Sequence, residues 1–162
     1  MSNFSRAYIG LGSNLDQPVE QVRQAIDELN QLPLTHRVST SPLYCSSPIG
    51  PQDQDDFINA VAAVDTQLSP LALLDQLQAL EQRHRRQRER RWGPRTLDLD
   101  LLLFDQLDLD HPRLRLPHPE VHVRRFVLYP LKDIAPQLSL YGKSLSCWSS
   151  ALPASDSVIL LN

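Results

Sequence analysis

The stretch Arg91-Trp92-Gly93-Pro94-Arg95-Thr96-Leu97-Asp98-Leu99-Asp100-Leu101-Leu102 decides how this chain is read. Its second half alternates acid and leucine, the period of a β-strand with one buried face. Asp98 and Asp100 therefore project from the same face, and Leu97, Leu99 and Leu101 pack behind them. Two neighbouring carboxylates repel unless a positive charge lies between them, and a hard, oxygen-seeking cation such as Mg²⁺ supplies one. Just upstream, residues 83–95 hold seven arginines and one histidine. A divalent cation beside clustered arginines is what a polyphosphate needs. The plainer alternative is a solvent-facing strand whose acids are neutralised by Arg90, Arg91 and Arg95.

Outward from this strand, the pattern alternates sheet and helix. Arg6 to Leu11 reads as a first strand, and Gly10-Leu11-Gly12-Ser13-Asn14 as a tight strand-to-helix turn. That turn lacks the third glycine of a dinucleotide fingerprint and the Gly-Lys-Ser/Thr of a P-loop, so scaffold is favoured over ligand contact. Val19, Val22, Ile26 and Leu29 recur at helical spacing behind the entry signals Asp16 and Pro18. Arg37 to Tyr44 is a second strand, a Pro/Gly/Ser-rich loop covers Cys45 to Asp56, and Phe57 to Asp65 is a third strand. Ser69-Pro70 opens a helix with the stripe Leu73, Leu74, Leu77 and Leu80. The acid-bearing strand then runs to Phe104. Asp105 to Arg115 reads as a hairpin around Asp108–Asp110, and Arg124 to Ile134 as a helix broken at Pro130 or soon after. From Gly142 the tail shows no period. The order β-α-β-β-α-β is that of a ferredoxin-like α+β unit, with helices on an antiparallel sheet.

The chain has 162 residues, 41% of them hydrophobic, and a net charge of −3. These values predict one folded domain over 1–162, neither disordered nor membrane-embedded. No apolar run approaches the ~20 residues of a membrane span, and no signal-peptide pattern opens the chain. Cys45 and Cys147 lack metal-ligand spacing, so a reduced, cytoplasmic protein is expected. Lys132 and Lys143 are the only lysines among 16 basic residues. Arginine's planar fork grips phosphate oxygens in pairs, which favours phosphate contact for the 83–95 cluster over a solvated helix end.

With these residues in view, the chain resembles the 6-hydroxymethyl-7,8-dihydropterin pyrophosphokinase family. The resemblance rests on the stretch 91–102 and on Gly10-Leu11-Gly12-Ser13-Asn14-Leu15. It extends to Pro48-Ile49-Gly50-Pro51-Gln52-Asp53-Gln54, Phe57-Ile58-Asn59-Ala60 and Leu116-Pro117-His118-Pro119. It covers about residues 6–140 and leaves 141–162 as a C-terminal tail. It implies a ferredoxin-like core extended into a three-layer α/β/α sandwich. It also implies an ATP-dependent pyrophosphokinase of folate biosynthesis, yielding the pterin pyrophosphate and AMP.

By resemblance, Asp98 and Asp100 hold two Mg²⁺ ions. Arg86 and Arg95 neutralise the migrating group. Gln78, Glu81, Arg88, Arg91, Leu101, Arg113, His118 and Arg124 hold ATP. Ser46, Ile49, Phe57, Asn59, Trp92 and Phe126 form the pterin pocket. A flat pterin wants aromatic faces, and its amide-and-guanidine edge wants a carboxamide, which offers donor and acceptor together. Phe57 and Asn59 stand at i and i+2 on one strand and so point the same way. Core packing is the bland reading of Phe57; His118, taken alone, reads as a surface loop residue.

Several positions depart from the family pattern. Arg85 replaces a glycine, Phe57 a common tyrosine, Ser46-Ser47 a Thr-Pro, and Pro119 a residue often aromatic elsewhere. These departures motivate one rival, a weakened paralogue that binds pterin or nucleotide. The arginine cluster motivates another, a nucleic-acid-binding module, against which the net charge and the adjacent acid pair both argue. The expected partners are ATP and the pterin, with no nucleic acid, no membrane and a monomeric state.

Overall fold

The computed structural model describes residues 3–14, 17–47, 56–86, 97–153 and 158–161. The elements run β1 (Ser5–Ser13), α1 (Pro18–Leu29), β2 (Thr35–Thr40), β3 (Tyr44–Ser46), β4 (Phe57–Thr66), α2 (Pro70–Arg86) and β5 (Asp98–Phe104). They continue with β6 (Leu109–His111), β7 (Leu114–Leu116), α3 (Arg125–Ile134), β8 (Ser139–Leu140), β9 (Lys143–Ser144), α4 (Leu145–Ser150) and β10 (Val158–Leu160). The main sheet has the order β10-β3-β4-β1-β5, with β2 also on β4, and every pairing is antiparallel.

Strand periodicity divides the side chains between two cores. Ile9, Leu11, Ala60, Ala62, Leu99 and Leu101 face α1 and α2, meeting Val22, Ile26, Leu29, Leu73, Leu77 and Leu80. Tyr8, Val61, Ala63, Leu102 and Leu103 face α3 and α4, meeting Val127, Leu128, Leu131 and Leu145. The antiparallel sheet thus carries helices on both faces, the three-layer α+β arrangement expected. Between α1 and α2, buried His84 bonds through Nδ1 to Gln21 and through Nε2 to Glu28 at 2.5 Å.

Four local expectations need correction. Gly10 to Ser13 is strand and not turn, because pairing with β4 on one side and β5 on the other occupies its backbone. The Arg37–Tyr44 strand is two strands. Pro42 cannot donate to a ladder, and at the break Ser41 Oγ accepts the Val61 N–H at 2.9 Å. The hairpin turns at Pro112-Arg113, so Asp110 lies within β6, where it pairs with Arg115. Pro130 sits inside α3 without ending it. An interior proline costs about 3 kcal/mol, but each fully buried side chain such as Val127, Leu128 or Leu131 contributes about 1.5–3 kcal/mol. Packing outweighs propensity there. The tail also has structure that periodicity missed, since β10 adds a strand to the sheet edge at β3.

Candidate active site

Register brings the sequence-predicted residues together. Asn59 of β4 lies opposite Gly12 of β1, and Gly12 lies opposite Asp98 of β5. One step along, Gly10 lies between Val61 and Asp100, and on the other side Ser46 of β3 opposes Phe57. Directly opposed residues share a sheet face, so Phe57, Asn59, Asp98 and Asp100 rise from one surface whose floor is two glycines. This surface is the part of the α3-facing side beyond the apolar residues that α3 covers.

A cavity of about 220 Å³ opens there. Its walls include Ser46, Phe57, Asn59, Asp98, Asp100 and, from the start of α3, Arg124 and Phe126. Asn59 and Ser46 are both buried, and the Asn59 Nδ2 amide donates to Ser46 Oγ at 2.6 Å. That bond fixes the carboxamide's direction. The glycines make the floor low: a Cβ at Gly12 would stand 3.4 Å from Asn59 Oδ1, and one at Gly10 the same distance from Leu102 Cδ1. The sequence reading passed over both glycines as scaffold. Their i, i+2 spacing in a strand was the available signal, because it leaves one face without side chains.

A second cavity of about 480 Å³ adjoins the first, and Asp100 lines both. It collects Gln78, Glu81, Leu101, Arg113 and His118. Several of its polar groups are engaged with one another. Glu81 accepts the Leu99 N–H at 2.8 Å, tying α2 to β5. Arg113 pairs with Asp75 at 2.5 Å and donates to Gln78 at 3.2 Å. His118 Nδ1 accepts the Glu120 N–H at 3.1 Å, and the His118 N–H donates to Leu102 O at 2.9 Å. Burial pushes the His118 imidazolium below its ordinary pKa, with the Asp100 carboxylate opposing and Arg124 assisting. Arg124 itself pairs with Glu120 and lies 5.6 Å from the Phe126 ring centre, so it borders the first cavity.

Ile49, Arg88, Arg91, Trp92 and Arg95 lie outside the described residues. Arg86 is the last residue of α2, and its side chain is likewise outside them. Among the described residues no cluster of three or more His, Cys, Asp or Glu forms a closed metal cage. The donor set is Asp98 and Asp100, two carboxylates on one face bordering open space. That suits Mg²⁺, which takes one or two carboxylates and completes its shell with phosphate oxygens and water.

Comparison with known proteins agrees with this fold. The family model for 7,8-dihydro-6-hydroxymethylpterin-pyrophosphokinase (HPPK) matches residues 8–136. The 2-amino-4-hydroxy-6-hydroxymethyldihydropteridine pyrophosphokinase of Pseudomonas aeruginosa is 57% identical over 137 residues, covering 85% of either chain. The Haemophilus influenzae protein of that name is 54% identical over 134 residues, covering 83% of this chain and 84% of its own. Among solved structures, wild-type Plasmodium falciparum HPPK-DHPS with pteroate superposes with a TM-score of 0.71 at 14% identity. That match covers 91% of this chain but only 42% of the longer one, and at this identity it speaks to the fold alone.

Proposed function

The chain belongs to the 7,8-dihydro-6-hydroxymethylpterin-pyrophosphokinase family, and from that premise we propose how its residues carry the reaction. The activity is the pyrophosphokinase step of folate biosynthesis: pyrophosphate passes from ATP to 6-hydroxymethyl-7,8-dihydropterin, leaving AMP. The pterin occupies the smaller cavity. Phe57 and Phe126 offer it ring faces, the Asn59 carboxamide reads its amide-and-guanidine edge, and Ser46 holds Asn59 in place; Ile49 and Trp92 complete the pocket. ATP occupies the larger cavity, against Gln78, Glu81, Leu101, Arg113 and His118, with Arg88, Arg91 and Arg124 on its phosphates. The observation that carries this reading is that the two cavities meet at Asp100.

At that junction the pterin hydroxyl attacks the β-phosphorus in line with departure of the AMP oxygen. The protein has little bond chemistry to do, and positioning with charge neutralisation accounts for the acceleration. Arg86 and Arg95 neutralise the migrating group. Asp98 and Asp100 would hold two Mg²⁺ ions, which would supply charge neutralisation at the phosphates and ease ionisation of the pterin hydroxyl. A neutral His118, its Nδ1 already accepting the Glu120 N–H, donates from Nε2 without adding charge. The whole chain works as one unit, a monomer in the cytoplasm. No helix among the described residues is long and apolar enough to cross a membrane.

Asn59→Leu tests the assignment. It keeps approximate volume and leaves the pterin's polar edge buried without partners, a loss on the order of 10²–10⁴-fold in pterin affinity. Affinity for a non-hydrolysable ATP analogue should stay within about twofold, since the ATP cavity is not lined by Asn59. Equal losses for both ligands in parallel titrations would make Asn59 a core residue and displace the pocket.

A further inference from the structure

The C-terminal strand lies beyond the residues matched by the family model, and it touches the wall of the smaller cavity. Val158 pairs with Ser46, Ile159 with Cys45 and Leu160 with Tyr44. Ser46 is the residue whose hydroxyl holds Asn59. β3 is only three residues long, and it pairs with β4 on one side. Without β10 its other side would be a bare edge, and a short edge strand frays readily. The Leu161 N–H extends the attachment by donating to Leu43 O at 2.9 Å, and Leu161 packs on the α1/α2 core.

The opposite wall is tied to the same region of the chain. Arg125, buried between the cavity-lining Arg124 and Phe126, turns its guanidinium inward. It donates to Pro153 O at 2.7 Å and to Leu152 O at 3.1 Å. Carbonyls at 152–153 thus hold the α3 wall, and the strand at 158–160 holds the β3 wall. The strand's own hold is modest, because Ile159 and Leu160 are 65% and 50% exposed and bury little apolar surface. Its docking is weak enough for a ligand in the cavity to shift.

We propose that residues 158–161 are a positioning strap for the pterin pocket, coupled to pterin and not to ATP. The proposal rests on the pterin reading of the smaller cavity. Strap docking fixes β3, β3 fixes Ser46, and Ser46 fixes the Asn59 carboxamide against the pterin edge. The ATP cavity is built from α2, β5 and the β6–β7 hairpin, and the strap's strand pairs with β3 and with none of these. Coupling between two sites is reciprocal, so pterin must tighten the strap by the factor that the strap tightens pterin.

The test compares the full chain with one ending at Pro153. Removing 154–162 should raise the KM and the Kd for pterin about tenfold, within the usual range of coupling between sites. The KM for ATP and the affinity for a non-hydrolysable ATP analogue should stay within about twofold, since β3, the strand that the strap pairs with, does not line the larger cavity. A synthetic peptide of residues 154–162 at millimolar concentration should restore pterin affinity. A purely structural loss would instead lower the active fraction and spare both KM values. In the full chain, saturating pterin should slow hydrogen exchange at Ile159 to Leu161, while the ATP analogue alone should not. If the shortened chain does not fold, the exchange measurement decides by itself. Pterin affinity unchanged on truncation, or exchange at 159–161 indifferent to pterin, overturns the strap. Failure of the full chain to bind pterin at all would instead remove the reading of the cavity beneath it.

Discussion

The face of the sheet under α1 and α2 and the face under α3 are built from alternate residues of the same strands, yet only one is closed along its length. Beneath α1 and α2 stand Ile9, Leu11, Ala60, Ala62, Leu99 and Leu101, all nearly inaccessible to water. On the other face α3 covers Tyr8, Val61, Ala63, Leu102 and Leu103 and stops. Past its N-terminus the sheet continues as Gly10, Gly12, Phe57, Asn59, Asp98 and Asp100. A rigid floor follows from the closed face, and a place for charge and ring stacking from the half-open one. Precise placement of polar groups needs that rigidity beneath it.

Changing one side chain on each face of β5 is the strongest way to break this comparison. Asp98→Asn or Asp100→Asn should lower Mg²⁺-dependent AMP formation by about 10³-fold or more, as loss of a charge-stabilising group in a transition state does. Thermal stability should hardly move, because the change is isosteric on a half-buried face and removes a like-charge neighbour. Normal turnover of either variant in millimolar Mg²⁺ would end the metal assignment. Between these two aspartates, Leu99→Ala should do the reverse. Leu99 is 4% exposed, and truncating it should cost about 2–5 kcal/mol of stability. The fraction that remains folded should retain its KM for pterin, whose cavity Leu99 does not line. A change of that KM without a change in denaturation midpoint would show that the two faces are not separable.

This alternation is why β5 was legible from sequence. An acid–leucine repeat assigns both faces at once, and register then carries Asp98 across to Gly12 and Asn59, and Asp100 across to Gly10. Helix α1 was equally plain from Val22, Ile26 and Leu29. Features decided by tertiary contacts were not legible. Pro130 reads as a breaker, and only the burial of its neighbours keeps α3 intact. Gly10 and Gly12 read as a turn because glycine is ambiguous until its strand partners are known. β10 follows no period in the sequence, since an edge strand of three residues with exposed Ile159 and Leu160 has no buried face to announce it. Arg113 and Glu81 were assigned to ATP, and nothing local indicates that they bond to Asp75 and to the backbone of Leu99.

The covered half of the α3 face has its own reporter in Tyr44, whose hydroxyl donates to Asp133 on α3. Its pKa is pushed up to about 12 by burial first and then by the hydrogen bond and charge of Asp133. In the unfolded chain a tyrosine loses its proton near pH 10. Between those values the folded protein binds the extra proton, so stability falls as pH rises. The contribution is complete below about pH 10 and lost as pH passes through about 12. Tyr44→Phe should flatten that alkaline fall and cost about 1–2 kcal/mol at neutral pH. An absorbance difference titration in which the lost tyrosine ionises near pH 10 would show that α3 is not pinned this way.

The smallest expected effect is also the finest discrimination, because it adds one methyl group to the floor at either of two places. At Gly12 the new Cβ meets Asn59 Oδ1 at 3.4 Å, and Asn59 is already held by Ser46 at 2.6 Å. The contact is at the close limit of van der Waals packing, so any accommodation by the carboxamide, at most a few tenths of an ångström, falls on that bond. A misplacement of about 1 Å in a binding group can cost about 10²-fold, and a few tenths should cost about threefold to tenfold in pterin affinity. At Gly10 the same methyl meets the Leu102 side chain, also at 3.4 Å. That neighbour is the flexible end of an apolar residue, and it can yield without touching the polar edge of the pocket. Gly10→Ala raises the same floor but leaves Asn59 in place, and should therefore cost less pterin affinity than Gly12→Ala. Neither change should lower stability, because alanine suits a paired strand at least as well as glycine. Equal pterin titrations for the two variants would mean that Asn59 is not the group by which the floor is felt.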